Sequence, residues 1–127
     1  MLLVCRFAVP SEETERFAAR ARTALELLTA QPGCLGGRLG RATEDPARWV
    51  LVVEFESVVA YRRALSPFPV REHVVPLLSE ALTDEASVLE VVAAASGGSV
   101  ERRESLLAAD SGSVRIGEAA GPEVPPR

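Results

Sequence analysis

The hydrophobic positions of the chain change their spacing along its length, and these changes predict an order of strands and helices. Residues Leu2–Val9 are apolar apart from Arg6, which predicts a first strand that ends at Pro10. Ser11 and the acidic residues after it are typical of a helix N-terminus. Apolar residues then recur every three or four positions, which predicts one buried helix face consisting of Phe17, Ala21, Ala24, Leu25 and Leu28. This helix is predicted to end at residues 31–33, Gln-Pro-Gly.

Two strands are predicted next, joined by a turn at residues 42–47 (ATEDPA). The first, Cys34–Arg41, is rich in glycine, which favours an edge strand or a strand crowded by another backbone. The second, Arg48–Phe55, is rich in valine and aromatic residues and is too short for a typical helix. We predict that the two strands pair in an antiparallel hairpin.

The next segment is predicted to be helical. Ser57 is the natural N-cap of a helix over Val58–Leu65, and the sequence Ser-Pro-Phe-Pro at residues 66–69 interrupts it. A further helical stretch is predicted from about Arg71 to Leu82, with a kink or a restart at Pro76 because proline does not fit inside a regular helix. Residues Ser87–Ala94 are predicted to form the last strand.

The predicted order is therefore β-α-β-β-α-β over residues 1–95, which is the order of the ferredoxin-like fold: an α+β domain with an antiparallel sheet. Residues 96–127 differ in composition and are predicted to be a largely irregular C-terminal tail or an arm on a partner subunit. Within this tail, Val100–Asp110 has a sequence that could form an isolated helix.

Alternation along the strands predicts one apolar sheet face that meets the helices and a second face of mixed character. The second face combines valines with charged residues: Val4, Arg6, Val50, Val52, Glu54, Val88, Glu90 and Val92. A second copy of the same sheet would bury these valines, with Arg6 paired to Glu54 or Glu90, so we expect a homodimer. A solvated sheet face with ordinary surface charges is the alternative.

Composition limits the functional classes. A chain of 127 residues with 47% hydrophobic content is long enough for one globular domain. Its net charge of −4 argues against a nucleic-acid partner, and no apolar run approaches the roughly 20 residues that cross a bilayer. Neither a signal peptide nor a CxxC motif is evident, so we expect a cytoplasmic protein with Cys5 and Cys34 reduced.

Two side chains are candidates for chemistry. His73 is the only histidine, which excludes a multi-histidine metal site. It could accept a proton from an acidic phenol, or it could simply lie on a helix surface. Tyr61 lies one turn inside the predicted second helix, where it could hydrogen-bond a quinone or hydroxyl group or serve as an amphipathic core residue. We take both as candidate catalytic residues.

A larger set is predicted to bind a substrate in an apolar pocket. Most of its members are aromatic or aliphatic, and Arg38 could orient an anionic group or be an ordinary surface arginine. The predicted substrate-binding residues are Cys5, Phe7, Trp49, Leu51, Phe55, Leu65, Phe68 and Arg38.

Taken in order, these segments resemble the antibiotic biosynthesis monooxygenase (ABM) family, whose members are dimeric α/β barrels of ferredoxin-like subunits. The resemblance rests on an opening strand that ends in VP before an acidic helix, followed by QPGCLGGRLGR, WVLVVEFES, AYRRAL and SVLEVV. It covers about residues 1–94.

The resemblance implies a pocket between sheet and helices in which some relatives oxidise aromatic polyketides with oxygen and without metal or flavin. It thus implies a cofactor-free monooxygenase, with His73 or a water held by Tyr61 as the base. A non-catalytic ligand-binding or accessory protein and a polyketide cyclase are alternatives. So is a haem-binding or haem-degrading protein: His73 stands at the haem-ligand position of such relatives, while Cys5 and Ala64 stand where they have Asn and Trp.

Overall fold

The computed structural model describes residues 1–105, and the chain divides into two compact units, Met1–Leu89 and a second that begins at Glu90. The elements of the first unit are β1 (Leu2–Ala8), α1 (Thr14–Thr29), β2 (Cys34–Arg41), β3 (Arg48–Phe55), α2 (Val58–Ala64), α3 (Phe68–His73), α4 (Val75–Leu78) and β4 (Val88–Leu89). A short 3-10 turn, Ser11–Glu13, leads into α1.

The four strands form one antiparallel sheet in the order β2-β3-β1-β4. This is the ferredoxin-like arrangement, and the α+β fold predicted from the sequence is confirmed. One face of the sheet is buried beneath the helices, and its side chains alternate along the two central strands: Leu3, Cys5, Phe7, Leu51, Val53 and Phe55. These six residues are the centre of the hydrophobic core.

Helix α1 covers this face with the predicted stripe, since Phe17, Ala21, Ala24 and Leu28 are all buried. The helix also explains one of the glycines in β2. A Cβ atom on Gly37 would lie 2.8 Å from a methyl carbon of Leu25, so a side chain there would push α1 away from the sheet. The strand β2 lies at the edge of the sheet, as the glycine content predicted.

The second helical region consists of three short helices. The hydroxyl of Ser57 accepts a hydrogen bond of 3.1 Å from the Ala60 amide, which confirms the predicted N-cap of α2. The predicted helical stretch from about Arg71 to Leu82 is confirmed in part, but its bounds are wrong, because α3 already begins at Phe68 and α4 ends at Leu78. The restart at Pro76 is confirmed, and this residue lies in the first turn of α4, where the missing amide hydrogen is not needed.

The predicted last strand, Ser87–Ala94, is also wrong as one element. Only Val88 and Leu89 pair with β1. Leu89 lies opposite Leu2 and Val88 lies opposite Leu3, so Val88 is on the helix side of the sheet and not on the open face to which alternation assigned it. The sequence lacked the information to fix this register, because valine and leucine fit either face equally well.

The described part of the second unit is a β-hairpin of β5 (Ala93–Ser96) and β6 (Ser99–Arg102). Gly97 and Gly98 connect the strands and both have positive φ, of 59° and 83°, which a tight hairpin turn of this kind requires. The predicted isolated helix is therefore wrong at residues 100–102, which belong to β6, and its end beyond residue 105 lies outside the described residues. Across residues 1–105, none of the helices has the length and apolar character to cross a membrane.

Candidate functional site

A cavity of about 460 Å³ lies between the helix-facing side of β1 and the short helices. Leu3 and Cys5 form its floor, Tyr61 and Leu65 come from α2, and Val75 and Leu78 come from α4. The remaining wall consists of Ser79 and the connection that leads to β4, residues 81–87 apart from Asp84. The volume falls within the range of sites that bind drug-sized molecules, and most of the lining is apolar.

The cavity exists because this connection departs from β1 where a regular fourth strand would continue. The amide of Val4 donates a hydrogen bond of 2.7 Å to the Ser87 carbonyl, and the Leu82 amide donates one of 2.7 Å to the Arg6 carbonyl. Between these two bonds β1 has a single residue, Cys5, whereas the connection has residues 83–86. We call these four residues the bulge. It arches away from β1 opposite Cys5.

Two ionisable side chains line the inner part of the cavity. Burial raises the pKa of the Cys5 thiol above its ordinary value of 9.0, and the charge of Arg6 offsets part of this effect. Burial likewise raises the pKa of the Tyr61 phenol above 10.0, with a smaller contribution from Cys5. Both groups therefore hold their protons at neutral pH. They can donate hydrogen bonds to a ligand, but they do not act as bases in this state.

The position of Tyr61 follows from the packing of α2. Its ring lies against Phe55 with a centroid separation of 5.5 Å, and Phe55 itself is completely buried. On the other side, α2 approaches the turn after α1 so closely that a Cβ on Gly33 would lie 2.6 Å from the Ala60 side chain. Gly33 also has a φ of 84°, which favours glycine. The N-cap, the ring contact and this turn together hold Tyr61 over the cavity.

A carboxylate lies at the edge of the same cavity. Glu85, in the bulge, lines it, and one of its oxygens is 3.3 Å from a guanidinium nitrogen of Arg6. Its side chain is 63% exposed, so it contacts solvent as well. Sequence reasoning missed Glu85, because it lies in an acidic segment (TDEAS) of ordinary loop character and only the bulge brings it to the cavity.

His73 lies elsewhere. It is at the end of α3, more than half exposed beside Glu72, and it lines a shallow groove with residues of α1 that include Arg20 and Thr23. The cavity lining does not include it. The predicted pairing of His73 with Tyr61 in one site is therefore not what the structure shows. A haem in the cavity does not fit these residues either, because the one histidine lies outside and the Cys5 and Tyr61 side chains keep their protons.

The predicted binding residues separate into three groups. Cys5 and Leu65 line the cavity. Leu51 and Phe55 are fully buried core residues, and Phe7 is buried against Phe17 at 4.9 Å between ring centroids. The others do not line it: Trp49 lies near one end of the sheet, Phe68 is 64% exposed, and Arg38 is exposed on the opposite face, where it pairs in register with Val52.

Trp49 has a distinct environment. The Arg41 guanidinium lies over its ring at 4.8 Å, and its indole N–H is buried without a hydrogen-bond partner among residues 1–105. It borders a second cleft of about 380 Å³, which Arg6, Arg41 and Arg48 also line. This cleft is separate from the cavity at Tyr61, and Leu82 is the one lining residue that the two have in common.

The fold and the cavity define a ferredoxin-like protein with a mostly apolar cavity between its sheet and its helices. The chain belongs to the antibiotic biosynthesis monooxygenase family, whose model matches residues 1–67. The match covers β1 through α2 and therefore includes Cys5 and Tyr61, whereas the bulge lies beyond it. No curated protein matches the sequence.

Solved structures share this fold. The chain is 28% identical to a variant of SnoaB, a cofactor-independent oxygenase from Streptomyces nogalater, with a TM-score of 0.53 over 64% of this chain and 82% of that one. It is 21% identical to a conserved protein from Methanosarcina mazei Go1, with a TM-score of 0.56 over 66% and 82% of the two chains. A further structure is described as an antibiotic biosynthesis monooxygenase, with 19% identity and a TM-score of 0.55 over 66% and 90%.

Proposed function

We propose that this chain is a cofactor-independent monooxygenase that oxidises an aromatic, polyketide-type molecule in the cavity beside Tyr61. The observation that carries the proposal is the cavity itself: it is apolar, about 460 Å³ in volume, and provided with a protonated phenol and thiol. Membership of the family and the likeness to the oxygenase SnoaB support the reaction class. Planar aromatic rings and molecular oxygen are both apolar, so both favour such a site over water.

The reaction that suits this site converts an activated methylene group into a carbonyl. An anthrone-type methylene first loses a proton and leaves a carbanion that is delocalised into the adjoining phenolic rings. The carbanion combines with oxygen to form a peroxide anion, which takes up one proton and becomes a hydroperoxide. Loss of water then gives the quinone, so that one oxygen atom enters the product and the other leaves as water. The two electrons that reduce this second atom come from the substrate, and no other reductant is needed.

The protein contributes position and electrostatics to these steps. The Tyr61 phenol is placed to donate a hydrogen bond to the substrate oxygen, where negative charge gathers as the methylene proton leaves. Apolar walls from Leu3, Leu65 and Leu78 exclude water and orient the rings. A hydrogen bond to a charged oxygen is worth about 1.5–3 kcal/mol in a protein interior.

The test is oxygen uptake with 1,8-dihydroxyanthrone and purified protein in the presence of a metal chelator. We expect uptake above the buffer rate, with one oxygen consumed for each quinone formed. A Leu65→Trp variant, which fills the cavity, should lose this activity, whereas Phe68→Ala, at an exposed position outside it, should keep it. Uptake at the buffer rate, or equal rates in the two variants, would contradict the proposal.

A non-catalytic ligand-binding protein of the same family is the second candidate, and one observation favours it. Tyr61 and Cys5 both keep their protons at neutral pH, and His73 lies outside the cavity, so none of these three groups can serve there as a base. Tight binding of 1,8-dihydroxyanthraquinone without oxygen uptake from the corresponding anthrone would support this candidate over the oxygenase.

We further propose that the open face of the sheet is covered by a second copy of this chain. The helices lie on the other face, and here Val4 lies opposite Val52 and Arg6 lies opposite Val50. These valines are only partly buried within one chain. Gly36 and Gly40 on β2 leave room above the same face for the side chains of a neighbouring sheet. The pattern supports a homodimer through paired sheets.

A further inference from the structure

We propose that Glu85 is the base that removes the substrate proton at the mouth of the cavity. This inference rests on the proposed function, because it assigns a residue to its first step. The reaction needs a base in the cavity. The hydroxyl groups and the Cys5 thiol of the lining carry protons, so they donate protons and do not accept the substrate proton. Glu85 is the one carboxylate that lines it among residues 1–105.

The geometry suits this role in two respects. The ion pair with Arg6 engages one carboxylate oxygen at 3.3 Å, and the second oxygen makes no hydrogen bond or ion pair within the described part of the chain. That oxygen is available to accept a proton. The side chain also reaches solvent, so the carboxylate can exchange protons with water before the substrate binds.

The bulge explains why a carboxylate can be there at all. In a regular fourth strand a single residue would lie opposite Cys5, and a glutamate at that position would have to be buried against the core or turned away from it. The bulge instead places four residues between the hydrogen bonds at Leu82 and Ser87, which lets Glu85 border the cavity while its charge stays partly in water.

The proton balance is complete with this residue. The carboxylate takes the methylene proton, and the electron pair of the C–H bond stays on the substrate as the carbanion. After oxygen has added, the carboxylic acid returns the proton to the peroxide anion. The carboxylate then removes the remaining C–H proton as the O–O bond breaks, and hydroxide leaves and takes up that proton as water. Glu85 ends the cycle ionised, as it began.

The test compares Glu85→Gln, which keeps the shape and removes the base, with Glu44→Gln, an exposed glutamate outside the cavity, as the matched control. With 1,8-dihydroxyanthrone at neutral pH, we expect Glu85→Gln to lower kcat by about 100-fold or more. Its affinity for 1,8-dihydroxyanthraquinone should change by less than about threefold, since the base acts on the reaction and not on binding. At alkaline pH, where the substrate ionises by itself, the variant should regain most of the rate.

A third variant separates the base from its ion pair. Arg6→Gln removes the partner and keeps the carboxylate, so it should lose far less activity than Glu85→Gln. Equal losses in the two variants, or a Glu85→Gln rate that alkaline pH does not restore, would mean that Glu85 only holds the bulge in place and would overturn the inference. A wild-type protein that consumes no oxygen would instead refute the proposed function, whereas an active wild type with an equally active Glu85→Gln would refute this inference alone.

Discussion

The amide of Leu82 donates a 2.7 Å hydrogen bond to the carbonyl of Arg6, and this one bond fixes the far end of the bulge. On β1 the next paired position is Val4, which bonds to Ser87. The connection therefore carries three residues more than regular pairing needs, and they arch over the Cys5 side chain. Both the cavity and the position of Glu85 depend on this difference in length.

Removal of residues 83–85 should close the cavity. Ala86 would then lie opposite Cys5, and regular antiparallel pairing could run from Leu82 to Leu89. We expect the affinity for 1,8-dihydroxyanthraquinone, measured by calorimetry, to fall by at least about tenfold, while the protein stays folded because shorter loops cost less entropy. Three glycines in place of residues 83–85 keep the length and form the control. Similar affinities in the deletion and the glycine variant would show that the bulge does not make the cavity.

Tyr61→Phe should reduce catalysis with little effect on folding. The ring contact with Phe55 remains, so only the hydroxyl is lost. We expect kcat/KM for 1,8-dihydroxyanthrone to fall about 10- to 100-fold, the equivalent of one hydrogen bond to a charged oxygen. Because burial raises the pKa of Tyr61 above 10.0, this ratio should stay constant from pH 6 to pH 9. A ratio that changes across neutral pH would indicate that the phenol itself titrates during the reaction.

The stability of the protein should decline in alkaline solution because of Cys5. Its pKa is raised by burial above the ordinary 9.0, so the folded state holds the proton more tightly than the unfolded state. This contribution is present in full below about pH 9 and is lost as the pH rises towards the folded-state pKa, at up to about 1.4 kcal/mol per pH unit.

Urea denaturation with a thiol reductant, carried out between pH 7 and pH 10.5, would measure this effect. Cys5→Ala should show a flatter profile than the wild type, although its stability at pH 7 will be lower because a core side chain is shortened. Cys34→Ala retains Cys5 and should keep the wild-type decline. If Cys5→Ala declines as steeply as the wild type, the buried thiol is not responsible.

Gly33→Ala should destabilise the first unit by about 2–4 kcal/mol. The new methyl group would lie 2.6 Å from the Ala60 side chain, and a φ of 84° is unfavourable for alanine. Gly40→Ala is the matched control, because its Cβ would meet only one valine methyl, at 3.3 Å, without a positive φ. We expect it to cost less than about 1 kcal/mol in the same urea assay. Equal costs would mean that the turn and α2 are not tightly packed.

The proposed dimer can be tested with a charge on the open face. Sedimentation should give the wild type twice the 13.5 kDa mass of one chain. Val52→Glu should give the single-chain mass, because it would bury two new like charges, one from each copy, in the paired face. Val59→Glu, at an exposed position on α2, is the control and should remain dimeric. A wild type that sediments at 13.5 kDa would refute the proposal.

Much of the fold could be predicted from the sequence because its signals are local. The apolar period of α1, the cap at Ser57 and the valine-rich strand Arg48–Phe55 each depend on neighbouring residues alone, and the structure has all three. The end of the first unit depends on longer-range pairing. Nothing in the residues Val88–Val92 shows that pairing with β1 stops after two residues, because their apolar side chains would suit a longer strand.

The candidate site was predicted less completely for the same reason. Cys5, Tyr61 and Leu65 line the cavity, because strand alternation and helix phase point them inward, and their roles in binding or catalysis stay predictions. The structure does not bring His73 to this cavity, because His73 ends α3 and lines the groove beside α1. Glu85 reaches the cavity only through the bulge. The bulge arises because four residues of the connection lie opposite the single residue Cys5 of β1, and this mismatch is seen only in the folded sheet.

Trp49 gives the protein an optical reporter of its own. It is the only tryptophan, and it is held edge-on against Phe17 at 5.4 Å with the Arg41 cation over its ring. Its emission should therefore respond when α1 separates from the sheet, and no external dye is needed to follow unfolding. Since the indole is outside the lining of the cavity, a change in the Tyr61 site that leaves α1 in place should leave the wavelength of that emission unchanged.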